Sequence, residues 1–121
     1  MTAPIVYIDI AGPDSAVLKE FYANLFSWNI SGNGSFSIPI ASLAQQTPTI
    51  MGTIRQDPAE KVLYIGVENI SEKLAEVEEN GGTIDQPRFE VPGVVILGLF
   101  RDSAGNRMGL VEMENGMAKI P

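Results

Sequence analysis

The sequence predicts an α+β fold in which one structural phrase, strand–helix–three strands, is written twice. Three observations carry this. Val6, Ile8 and Ile10 alternate with Tyr7 and Asp9, the period of a half-buried strand, and Val62–Val67 forms a second strand-like run. Each run leads through turn and capping residues into apolar residues at helical spacing. Arg55–Glu60, polar and containing Pro58, stands between the two series as a natural linker.

In the first series, Gly12-Pro13-Asp14-Ser15 supplies the turn and a helix cap. Val17, Leu18, Phe21, Tyr22 and Leu25 then predict a helix from about Ser15 to Leu25. Phe26–Ile30 reads as a second strand, and Ser31–Ser35, with its Asn-Gly pair, as a hairpin turn. Phe36–Ile40 reads as a third strand, with Pro39 marking an edge or a break, and Thr49–Ile54 as a fourth.

The second series follows the same order. Asn69 caps a helix carrying Ile70, Leu74 and Val77, which ends at Gly81-Gly82. A short strand precedes Pro87, and Val94–Phe100 is a strongly apolar one. Asp102–Asn106 makes a turn, Arg107–Met113 closes the sheet, and Glu114–Pro121 reads as a frayed tail. Asp14 and Asn69 occupy matching turns, and Met51-Gly52 and Met108-Gly109 matching points in the last strands. The expectation is a single domain over 1–121, with module one at about 4–55 and module two at about 61–114.

Composition narrows the chemistry. The chain has 121 residues, 15 acidic and 8 basic side chains, and a net charge of −7, which argues against nucleic acid or an anionic membrane surface as partner. It has no cysteine and no histidine, which excludes disulfides, thiolate or imidazole metal ligation, and a histidine base. Met1-Thr2-Ala3-Pro4 runs straight into a strand without a signal-like apolar stretch, so the expected location is the cytoplasm.

The phrase Phe21-Tyr22-Ala23-Asn24-Leu25-Phe26-Ser27-Trp28, with Gly81-Gly82 and Asp102-Ser103-Ala104-Gly105-Asn106, resembles the glyoxalase/bleomycin-resistance/dioxygenase group, the vicinal-oxygen-chelate superfamily. The resemblance spans almost the whole chain. It implies two tandem βαβββ modules forming a curved mixed sheet around a cup, with the helices on the outer face, and a homodimer. Metal-dependent members place four ligands in that cup. The matching positions are Tyr7, Val62, Gly52 and Gly109, of which only Tyr7 offers a side-chain donor. The resemblance therefore points to a member without the metal, and no cofactor is expected.

Strand parity puts Tyr7, Asp9, Val62, Tyr64 and Gly66 on the face away from the helices. Tyr7 and Tyr64 would clamp a planar or apolar ligand, and Asp9 would hold a cation or act as a base. Gly52 and Gly109 would widen the cup, or mark close packing, and Trp28 is a further ligand-contact candidate. The reading is a metal-independent small-molecule binding protein, with sequestration of a toxic or antibiotic-like compound as one role. One alternative is a metal-free lyase or isomerase using Asp9 with Tyr7 or Tyr64. Another is a structural or regulatory subunit whose cup is filled.

Overall fold

The computed structural model describes residues 2–41 and 46–121. Its class is α+β. The chain divides into two compact units, one of Tyr7–Val62 and one of Met1–Val6 with Leu63–Pro121.

The 7–62 unit holds β1 (Ile5–Gly12) from Tyr7 onward, α1 (Ser15–Phe26), β2 (Ser35–Ala41) and β3 (Gln46–Gln56). The strand order is β2-β3-β1, with β2 antiparallel and β1 parallel to β3. α1 starts where Asp14 accepts a hydrogen bond from the Val17 amide and stops where Ser27 enters the left-handed region at φ 59°. Its inner side, through Leu18 and Tyr22, packs on Ile10, Phe36, Ile38, Ile50 and Ile54. β2 is an edge strand whose register shifts between Pro39 and Ala41, as expected of a proline with no amide to donate.

The expected strand at Phe26–Ile30 does not form. Phe26 ends the helix, and Trp28 turns back to stack on Tyr22, with ring centroids 4.9 Å apart and planes 14° apart. Aromatic packing against the helix here overrides the strand propensity of the segment. This unit is therefore βαββ.

The 63–121 unit holds β4 (Glu60–Val67) from Leu63 onward, α2 (Ile70–Glu79), β5 (Thr83–Val91), β6 (Val95–Arg101), β7 (Arg107–Glu114) and β8 (Met117–Ala118). The order is β4-β7-β6-β5, with β4 parallel to β7 and the other pairs antiparallel. Asn69 caps α2 through the Glu72 amide, and Gly81 at φ +92° turns the chain out of it. Ile70 and Leu74 seat α2 on Val67, Ile96, Phe100 and Leu110.

Three boundaries differ from the sequence reading. β5 runs through Pro87 to Val91, with register shifts on either side of Gln86 that accommodate the proline at an edge. The tail is not frayed: Asn115 and Gly116, at φ 55° and 78°, form a tight turn that lays β8 against β7. That Asn-Gly pair is a hairpin signal of the kind recognised at Asn33-Gly34. Arg55 and Gln56 belong to β3 and Glu60 begins β4, so only Asp57–Ala59 connect them.

Glu112 is 5% exposed and anchors the 63–121 unit. Its Oε1 accepts from Arg88 Nε at 3.0 Å and from the Ile70 amide at 3.3 Å, and its Oε2 from Arg88 Nη2 at 2.9 Å. One carboxylate thus joins β7, the first turn of α2 and β5. The hydrogen bonds from Arg88, against the opposing effect of burial, hold the carboxyl below its usual value of 4.5. A depressed folded pKa gives stability that is present above 4.5 and lost as pH falls through the folded value. Glu112→Gln is expected to cost on the order of 1–2 kcal/mol at neutral pH, by urea unfolding. The two proteins should converge as the solution is acidified below pH 4.5.

Candidate functional site

In the 7–62 unit, Ile8 and Ile10 join the helix-covered core, which turns Tyr7 and Asp9 to the opposite face as the alternation requires. Tyr7 is half-buried. Asp9 is 5% exposed and forms an ion pair with Arg55 Nε at 2.5 Å. The other guanidinium nitrogens of Arg55 reach Asp57 at 2.5 Å and Glu60 at 2.7 Å. Burial alone would lower the Arg55 pKa, but the hydrogen bonds to Asp9 and Glu60, with their charges, outweigh it and raise it above the ordinary value. The cation that Asp9 holds is the chain's own.

Three expected site residues fall elsewhere. Gly52 shares its face with Ile50 and Ile54, and a Cβ there would overlap the Phe36 ring and the Ile8 carbonyl. It therefore lies under the helix-side core, and β3 turns Met51, Thr53 and Arg55 to the Asp9 face; one residue of register reverses the side. Trp28 lies between Tyr22 and Phe36 on that same core, its ring centroid 5.1 Å from that of Phe36. Val62 has 0% exposure, so it presents nothing to a ligand.

In the 63–121 unit, Ile65 and Val67 join the core, and Tyr64 points away from it. Tyr64 pairs in register with Gly109, and a Cβ at Gly109 would overlap the Tyr64 ring. The glycine makes room for the unit's own tyrosine rather than for a wider cup. Among the described residues, no three acidic side chains gather in a group able to hold a metal ion. Nor is any helix among them long and apolar enough to cross a membrane.

Open volume lies at one end of this unit. A cleft of about 690 Å³ is bounded by Thr2–Pro4 and Val6, the end of β4 with the first turns of α2, and the β7–β8 turn. Its floor is apolar, with Pro4, Val6, Gly66, Val67 and Met113. The leading segment is tied down by a hydrogen bond from the Gly66 amide to the Pro4 carbonyl, 2.9 Å long. Gly66 keeps the floor low: a Cβ there would sit 2.9 Å from Met113 Cγ and 3.1 Å from Val6 Cγ1. The rim carries Glu68 just before the helix cap and Glu72 and Glu76 on the first turns of α2, and among the described residues its one cation, Lys73, is bonded to Glu76 at 2.7 Å. The cleft therefore combines an apolar floor with a negatively charged rim. Sequence reasoning passed over it because its wall is assembled from three separate stretches of the chain. The Glu68/Glu72/Glu76 spacing was the one legible signal.

No protein-family model and no curated protein matches the chain. Solved structures do. A hypothetical protein from Bacillus halodurans C-125 is 14% identical at a TM-score of 0.61, over 98% of this chain and 100% of that one. A methylmalonyl-CoA epimerase in complex with methylmalonyl-CoA and NH4+ is 13% identical at 0.60, over 98% and 100%. A Streptomyces coelicolor methylmalonyl-CoA epimerase in complex with 2-nitronate-propionyl-CoA is 13% identical at 0.62, over 93% and 98%. At such identities the likeness speaks for architecture, and the chain has the vicinal-oxygen-chelate fold.

Proposed function

We propose that the protein binds a small organic molecule, mainly apolar and neutral or cationic, in the cleft between its leading segment and α2. The observation that carries this reading is the cleft itself, whose volume falls in the range of small-molecule sites and whose floor is apolar. The glutamates on its rim favour a positive group and oppose a polyanion such as a coenzyme A ester. Binding without chemistry accords with sequestration as the role. Metal-independent action is part of the same proposal, since the chain has no histidine or cysteine and, among the described residues, no three acidic side chains gather to hold an ion. The lyase or isomerase alternative gains no support from Asp9, whose carboxylate already serves Arg55.

A matched pair of hydrophobic dyes, one a phenanthridinium cation and one a naphthalene sulfonate, tests the reading by fluorescence titration. The cation is expected to bind more tightly, more weakly as salt is raised, and about tenfold more weakly to Met113→Trp, which fills the floor. Methylmalonyl-CoA should not compete with it. Equal binding of both dyes, or a Met113→Trp protein that binds as well as the parent, would sink the proposal.

Arg55→Met separates a structural Asp9 from a working one. It leaves a buried carboxylate without its cation and is expected to lower stability by about 2 kcal/mol, the partial exposure of Arg55 moderating the cost. Dye binding in the cleft should be unchanged when measured below the unfolding transition.

A further inference from the structure

We propose that Asn115 is a self-modifying site, at which the turn between β7 and β8 converts itself from an asparaginyl to an isoaspartyl link. The sequence holds three Asn-Gly pairs, at Asn33, Asn80 and Asn115. In such a pair the glycine amide nitrogen can attack the asparagine Cγ, because no side chain on the following residue stands in the way. The other four asparagines precede leucine, isoleucine or arginine, whose side chains obstruct that approach.

The fold leaves one of the three pairs ready to react. Asn33 Oδ1 accepts from Ser31 Oγ at 2.6 Å, from Ser35 Oγ at 2.7 Å and from the Ser35 amide at 3.0 Å, and the Gly34 amide donates to the Ser31 carbonyl at 2.9 Å. Asn80 Nδ2 donates to the Glu76 carbonyl at 2.8 Å, and the Gly81 amide to the Glu78 carbonyl at 3.3 Å. Attack within either pair would first have to break those bonds. Asn115 and Gly116 are exposed, and among the described residues neither the Asn115 side chain nor the Gly116 amide has a hydrogen-bond partner. β8 beyond them is two residues long, so the turn opens at little cost.

The conversion needs only water. Gly116 N bonds to Asn115 Cγ, its proton leaves with the side-chain nitrogen as ammonia, and a cyclic imide remains. Water then opens the imide at the Asn115 main-chain carbonyl, so that the chain runs on through Cβ and Cγ. The main chain is thereby one carbon longer and carries a new carboxylate. A two-residue turn has no room for that carbon. The pairing of β8 with β7 is lost, and with it the bond from the Lys119 amide to the Glu112 carbonyl, 2.9 Å long. Asn115 and Gly116 line the cleft beside α2, so its wall shifts and its rim gains a negative charge.

Ageing of the full chain at neutral and mildly alkaline pH, followed by peptide mapping with enzymatic methylation of isoaspartate, tests this. In urea the three pairs should lose their amides at similar rates, because each then presents only its sequence. In the folded protein Asn115 should convert about tenfold faster than Asn33 or Asn80, and faster at the higher pH, since the attacking nitrogen must lose its proton. Hydrogen exchange of the Lys119 amide should quicken about tenfold in the converted protein. It should stay constant through the same incubation in Asn115→Gly, which keeps the turn. A folded protein in which Asn33 or Asn80 converts as fast as Asn115 overturns the proposal. So does an Asn115 that keeps its amide as long as they do, or an isoaspartyl protein whose Lys119 exchange is unchanged.

Discussion

Each compact unit is organised around a carboxylate that its own burial would make untenable without a guanidinium. Burying an ionised group costs far more than a single contact returns, so the surrounding chain has to bring a cation and the remaining donors to it. In the 63–121 unit, Glu112 accepts from two nitrogens on one edge of Arg88 and from the Ile70 amide, and this one demand ties β7, β5 and the start of α2 together. In the 7–62 unit, Asp9 draws Arg55, and Arg55 draws Asp57 and Glu60 around the connection that leaves β3. The apolar cores supply the bulk of the driving force. The ion pairs select register, because a one-residue slip of either strand would send the carboxylate to the wrong side.

Gly52 and Gly109 look alike in the sequence, each following a methionine in the last strand of its series, yet they face opposite ways. Gly52 belongs to the helix-covered face and admits the Phe36 ring, whereas Gly109 faces away from the helix and admits the Tyr64 ring. In both units an aromatic ring takes the volume that a side chain on the glycine would have occupied. A missing side chain is therefore poor evidence for an opening. Its meaning depends on which neighbour crosses the strand at that point.

The cleft beside α2 has a different origin. It exists because Gly66 contributes no side chain, because the Asn115-Gly116 turn folds β8 back along β7, and because the leading segment is bonded to β4. Its rim takes its sign from the start of α2, where Glu72 and Glu76 lie four residues apart on one side of the helix and Glu68 stands just before the cap. The acidic balance of the whole chain is thus concentrated, at this place, into something a ligand would feel.

Much of the architecture was legible in the residues. Alternation along Ile5–Ile10, the caps Asp14 and Asn69, the stop at Gly81-Gly82 and the place of Pro39 all express local rules that a few neighbouring residues enforce. The same alternation correctly turned Tyr7, Asp9 and Tyr64 away from the helices. What the sequence by itself could not determine were the outcomes of competition between distant parts. Trp28 forsook a strand for the rings of Tyr22 and Phe36, and Asp9 spent its charge on an arginine 46 residues away. Whether the space at each glycine stayed open was also decided in three dimensions. Local preference is a matter of tenths of a kcal/mol per residue, and it yields wherever a ring needs packing or a buried charge needs a partner. Those demands acquire an answer only when the strands are laid side by side.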